Sequence, residues 1–253
     1  MTLDVRGVFR DAWAMWRRDR AVLLAIAGFF MFLPELARLL FVPTRATITV
    51  TPAKEGQLPS LNEQLQAMAE IFSRNAALLI TVDVLIMFGA LVVLTLYLDG
   101  RRRDVGGALL AALRRFPPYF LLSLLVEFVA APGVLVIFLL LPVLYLLGRL
   151  ILAGPIFAGE GVGPFAAIAR SFRATRGRGI VLAGFATIVL FAGLVLASPA
   201  IALGEVLDRA PLANPVAGLI IDTLASALAT VGTLGGVLVR IALYRRIGAS
   251  SAI

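Results

Sequence analysis

Between Tyr119 and Gly159 the chain runs 41 residues with only two charges, Glu127 and Arg149. The hydrocarbon core of a bilayer is about 30 Å thick, which about 20 helical residues cross at about 1.5 Å each. The run is too long for one crossing and right for two, so a helical hairpin must form with its turn near the middle. Pro142 satisfies that position and divides the run into spans of about 119–141 and 143–159. Pro132-Gly133 would leave the first arm too short and reads as a kink. No water is present in the hydrocarbon to satisfy free N–H and C=O groups, so the crossing segments must be helices.

The same reading places further spans at about 21–42, 76–98, 180–203 and 216–243, giving an all-α membrane protein with six transmembrane helices. With 60% hydrophobic and 15% charged residues and a mean hydropathy of +0.98, the chain suits one polytopic domain over residues 1–253. Pro34 is expected to kink the first span. The start MTLDVRGVFRDAWAMWRRDR is too long and too acidic for a signal-peptide n-region, and the next span carries Glu35 and Arg38, so no cleavage is expected.

Three basic amphipathic helices are expected at the membrane surface. In residues 1–20, Phe9, Ala12, Trp13 and Trp16 share one face and Arg6, Arg10, Arg17 and Arg18 take the other. The second follows Arg101, Arg102 and Arg103 and spans Val105 to Phe116, with Leu109, Leu110 and Leu113 on one side and Pro117-Pro118 stopping it. The third opens at Gly163-Pro164, with Phe165, Ile168 and Phe172 opposed to Arg170, Arg173 and Arg176, and closes at Gly177 and Gly179. Each precedes an odd-numbered span, which suggests three repeats of surface helix plus membrane hairpin. The polar segment Pro43 to Arg74 reads as an extended stretch (Thr44 to Thr51), a loop (Pro52 to Pro59), and a Ser60-capped helix with Leu61, Leu65, Met68 and Phe72 on one face.

Six spans put both termini on one side. That side carries 17 basic residues, including three at the C-terminal end, against 4 on the other; Arg38 and Arg149 lie within spans. The positive-inside rule then makes both termini cytoplasmic. The clustering of arginines beside apolar spans points to membrane lipids, anionic ones included, as partners and not to nucleic acid. With no cysteine and no histidine, disulfides, thiolate catalysis, histidine acid/base chemistry and the usual zinc sites are excluded.

Six ionisable residues fall inside spans: Glu35, Arg38, Asp83, Glu127, Arg149 and Asp222. Each costs roughly 2.5–3.5 kcal/mol at mid-bilayer unless paired or wetted. All but Glu127 fall in the outer half. The cluster reads as an ion-pair knot holding hairpins together, as a polar site for a headgroup, ion or proton, or, for Glu35 and Arg38, as charges snorkelling to the interface. Asp222, Ala225, Ala229, Gly232 and Gly236 form a stripe on one helix face, suited to close packing within the bundle or to dimerisation. The glycines at 159, 161 and 163 lack the strand and the Gly-Lys-Ser/Thr of a phosphate loop. No nucleophile with a partnered base, cofactor motif or metal motif is present, so a non-enzymatic role in envelope organisation or lipid handling is expected, alone or with a second copy or other membrane proteins. A small transporter or channel using the charge cluster is the alternative, and a membrane-embedded enzyme a third.

The stretch LLLPVLYLLGRLILAGPIFAGEGVGPFAAIARSFRATRGR, residues 139–178, resembles the membrane domain found with bacterial glycerophosphodiester phosphodiesterases. In layout, in the segment Val8-Phe9-Arg10-Asp11 and in ending with an aromatic and arginines, the chain is more closely similar to the YciC-like bacterial inner-membrane proteins. The resemblance implies an inner-membrane location. It brings no catalytic residues, because the phosphodiesterase domain of the larger proteins is a separate soluble unit.

Overall fold

The computed structural model describes residues 4–42, 61–99, 104–135, 139–207 and 214–250, and every regular element among them is helical. Six segments are long and apolar enough to cross a membrane: Val5–Phe41, Ala69–Leu98, Val105–Ala131, Leu140–Glu160, Gly179–Gly204 and Pro215–Ile247. Each overlaps one expected span.

The first crossing is a helix α1 (Val5–Ala27), a π-helical turn (Gly28–Phe32) and a helix α2 (Leu33–Phe41). Asp4 caps α1 by accepting the Gly7 N–H at 3.0 Å. Inside α1, Asp19 leaves helical geometry (φ −116°, ψ 22°), which separates the arginine- and tryptophan-bearing part from the apolar part without ending the helix. Pro34 has no N–H to offer the preceding turn. The chain adjusts just before it, the Leu33 N–H reaching the Gly28 carbonyl in a wider turn, so the conflict is absorbed as a π-bulge.

Helix α3 (Leu61–Leu98) joins the short polar helix and the second span into one element. The expected extended stretch, loop and Ser60 cap over residues 44–60 lie outside the described residues. Helix α4 (Val105–Leu135) corrects a second expectation: Pro117-Pro118 does not stop it, and Pro132-Gly133 lies within it. The carbonyls that the two prolines leave without helical donors belong to Leu113 and Arg114, both exposed.

The hairpin turn is likewise shifted. Helix α5 (Leu140–Leu150) already contains Pro142 in its first turn, where a missing N–H costs nothing, and α4 ends before it at Leu135. The fourth crossing is interrupted at Ile151-Leu152 before α6 (Ala153–Glu160), because Pro155 cannot donate to the Ile151 carbonyl. Gly161, at φ 65°, ends α6 in the left-handed region. Helix α7 (Pro164–Ala174) starts at Pro164 with Gly163 extended before it, and Gly177 at φ 78° turns the chain into the next crossing.

Helices α8 (Gly179–Leu207) and α9 (Pro215–Ser250) pack along their lengths. Pro199 within α8 frees the Val195 carbonyl, and the Ser198 hydroxyl donates to it at 2.9 Å. The core is formed by fully buried Leu23, Met31, Leu91, Leu152, Leu182, Ile241 and Leu243, while Phe128, Leu141 and Ile180 stand at 77% exposure or more on the outside. Apolar side chains on both the inside and the outside are what lipid as solvent requires.

The start of α1 and the last turns of α9 meet at one end of the bundle. Arg246 of α9 donates to Asp11 at 2.6 Å and to Asp4 at 3.4 Å, and Arg245 donates to the Tyr97 carbonyl at 2.9 Å. Tyr97 in turn donates to Asp19 at 2.6 Å.

Candidate functional site

Of the six predicted intramembrane charges, four are linked: Asp83 lies within electrostatic range of the Glu35–Arg38 pair and of Glu127. Glu35 and Arg38 pair directly: successive turns of α2 bring them together, with Arg38 Nε 3.0 Å and Nη2 2.5 Å from the two carboxylate oxygens. This fork-to-fork geometry satisfies most of both groups. Asp83 is exposed on α3. Asp222 is buried on α9 at 7% exposure, and its carbonyl accepts the Ser226 hydroxyl at 2.7 Å.

Arg149 sits elsewhere. Its guanidinium donates to the carbonyls of Phe172 (2.5 Å) and Thr175 (3.1 Å), while its own carbonyl accepts from Ser171 (2.7 Å) and Thr175 (3.3 Å). A cation on the last carbonyls of α7 answers both their unmet acceptors and the negative end of the helix dipole. Counting along its span placed Arg149 in the outer half. The break at Ile151-Leu152 and the return of α7 instead bring it to the end of the bundle where α1 starts and α9 ends.

Glu127 lines a cavity of about 310 Å³ bounded by α3, α4, α5, α6, α8 and α9. Its walls are mainly apolar, from Ile86, Leu122, Leu147 and Val237 among others, with Tyr119, Ser123 and Thr233 adding hydroxyls. The cavity also holds Arg240. Sequence reasoning counted this arginine with Arg245 and Arg246 as part of the C-terminal basic cluster, although it falls inside the last apolar span. Its Nε is buried without a hydrogen-bond partner, and no carboxylate pairs with it among the described residues. Tyr119 is within electrostatic range of both Arg240 and Glu127. The signal was available: Arg240 lies four residues beyond Gly236, on the small-residue stripe.

A second cavity, about 230 Å³, is lined by Glu35, Arg38, Thr230 and Thr233. The two cavities share Ile86, Val189, Leu190 and Thr233 in their walls. A third, apolar groove of about 380 Å³ runs between Phe9, Trp13 and Trp16 of α1 and the glycine-rich part of α9.

The small-residue stripe is used inside the chain. A side chain at Gly232 would collide with the backbone of Ala192 and Gly193 on α8, and one at Gly236 would meet Val189. Gly148 of α5 makes a similar backbone approach to Ala183.

Of the arginines read as lipid contacts, Arg170 pairs with Glu160, which also accepts from Tyr244 at 3.4 Å. Arg173 and Arg176 are exposed at and just beyond the end of α7, and Phe165, at 68% exposure, stands at its start. Arg101, Arg102 and Arg103 lie outside the described residues. At the start of α1, the Gly7 N–H holds the Asp4 carboxyl below its usual range, opposed next by desolvation and helped by the nearby Arg246 and Arg10. No family model, curated protein or solved structure matches the chain.

Proposed function

We propose that this chain is a non-enzymatic, lipid-handling protein of the bacterial inner membrane, with both termini cytoplasmic and α7 lying in the headgroup layer. The observation that carries the reading is the surface of α7 and the turn after it, where Phe165 is exposed in the first turn of the helix, Arg173 in its last turn and Arg176 just beyond its end. An exposed apolar ring on the same short segment as cations suits the boundary between acyl chains and anionic headgroups. Each basic residue near such a surface adds about 1 kcal/mol of attraction. The resemblance to YciC-like proteins supports the location and adds no activity. Thermal unfolding of protein reconstituted in anionic and in zwitterionic vesicles tests the reading. The anionic vesicles should stabilise the protein more, and R173Q/R176Q should remove most of the difference. Equal melting temperatures for the wild type would refute it.

A second reading, a small transporter, is favoured by one observation: the two polar cavities adjoin, with Thr233 in the wall of both. It requires flux of an ion or small solute into proteoliposomes above that of protein-free vesicles, reduced in Arg38→Gln. Equal flux with and without protein would dismiss it.

A further inference from the structure

We infer that the cavity around Arg240 is a binding site for one acidic group, a phosphate or carboxylate, carried by a lipid headgroup or free in solution. The lipid form rests on the lipid-handling reading above; the free-anion form does not.

The charges inside the bundle set Arg240 apart. Arg38 is answered by Glu35 and Arg149 by two carbonyls, whereas Arg240 has a buried Nε with no acceptor and no paired carboxylate among the described residues. A guanidinium has five donors in a fixed fork and stays charged, so an unanswered one within apolar walls is a poor structural element. A buried charge left uncompensated costs several kcal/mol, so a guanidinium without an acceptor inside the chain points to an acceptor that comes from outside it. A phosphate or carboxylate meets the fork with two parallel bonds.

Place and shape agree. Arg240 lies six residues before Arg246, so about 9 Å inward from the end of the bundle where α1 starts and α9 ends. That is within reach of a headgroup drawn slightly below its layer. A volume of about 310 Å³ is at the lower end of ordinary ligand sites and fits a headgroup with the start of its acyl chains. Tyr119 and Ser123, hydrogen-bonded to each other, bring hydroxyls to the cavity, the Thr233 hydroxyl donates to the Ala229 carbonyl at 3.1 Å, and the rest of the wall is mainly apolar.

Glu127 is the other charge on the lining. It stands eight residues along α4 from Tyr119, about 12 Å, and it is exposed. The acid therefore marks the outer part of the cavity and leaves the guanidinium to the ligand.

The test uses full-length protein in a mild nonionic detergent, read by native mass spectrometry and thermal shift. The probes are inorganic phosphate, phosphatidylglycerol and phosphatidylcholine. Wild type should hold one acidic molecule per chain. Arg240→Gln should weaken that binding at least tenfold, Arg240→Lys should weaken it less, and R173Q/R176Q should leave the one-to-one species intact. Binding of phosphate alone identifies a free anion; binding of phosphatidylglycerol alone identifies a headgroup. A phosphate shift in a protein indifferent to anionic vesicles would sink the lipid-handling reading while leaving this site standing. Undiminished binding in Arg240→Gln, or no one-to-one species with either acidic probe, would overturn the site. If Arg240→Gln fails to accumulate, phenylglyoxal modification of the wild type decides: protection of Arg240 by an acidic probe supports the site, and equal modification with and without probe overturns it.

Discussion

Gly232→Ala is the sharpest test of how the bundle is held. At this position a new Cβ would collide with backbone atoms of Gly193 and Ala192, and backbone cannot rotate aside as a flexible side chain can. Helices α8 and α9 must therefore separate locally along the most extensive helix pair in the fold. Overpacking of this kind costs about 1–3 kcal/mol. Gly235→Ala, three residues on in the same helix, is the internal control, because a Cβ there has no atom within 4 Å. It should be neutral or stabilising by about 0.5–1 kcal/mol, since alanine loses less backbone freedom in a helix. The two variants should thus move stability in opposite directions, by reversible unfolding in mixed detergent micelles with oligomeric state followed by light scattering. Equal effects would refute the close-approach argument. A change in oligomeric state in Gly232→Ala with unchanged monomer stability would assign the stripe to dimerisation.

Three further outcomes are expected. Arg149→Met removes two charge-assisted bonds to the carbonyls of Phe172 and Thr175 and should cost about 1.5–3 kcal/mol, read as faster tryptic cleavage at Arg176 and Arg178; an unchanged rate would show that the cap does not hold this segment. Ser198→Ala leaves the Val195 carbonyl without its donor and should destabilise by about 0.6 kcal/mol, an effect that should vanish when Pro199→Ala restores the helical N–H. Asp4 has a folded pKa below its unfolded one, so its contribution is fully present above the usual carboxylate range and is lost as pH falls through the folded value. Amide protection at the start of α1 should accordingly drop below about pH 4 in the wild type. Asp4→Asn, which keeps a capping oxygen without a charge, should show no such drop.

The spans were legible because the bilayer imposes a length and a composition on any segment that crosses it, and the run from Tyr119 to Gly159 could satisfy both only as two helices. The boundaries were less legible where proline was involved. Pro117-Pro118, Pro142 and Pro34 all read as breaks or kinks from local chemistry, yet only a π-bulge resulted near Pro34 and neither other site ended a helix. Proline's cost depends on whether the freed carbonyl finds another donor, as Val195 does in Ser198, and that donor is set by neighbours in space.

The charges divide in the same way. Glu35 and Arg38, three residues apart on one helix, were bound to meet whatever the rest of the fold did. Arg149 and Arg240 could not be placed by depth counting, because a helix break re-aims one and the packing of several helices around a cavity encloses the Nε of the other. The amino-acid order alone thus fixes six apolar helices and the local pairs within them, since both follow from transfer energies and helical spacing. Which arginine lines a cavity without a partner among the described residues is decided by how six helices from distant parts of the chain pack together.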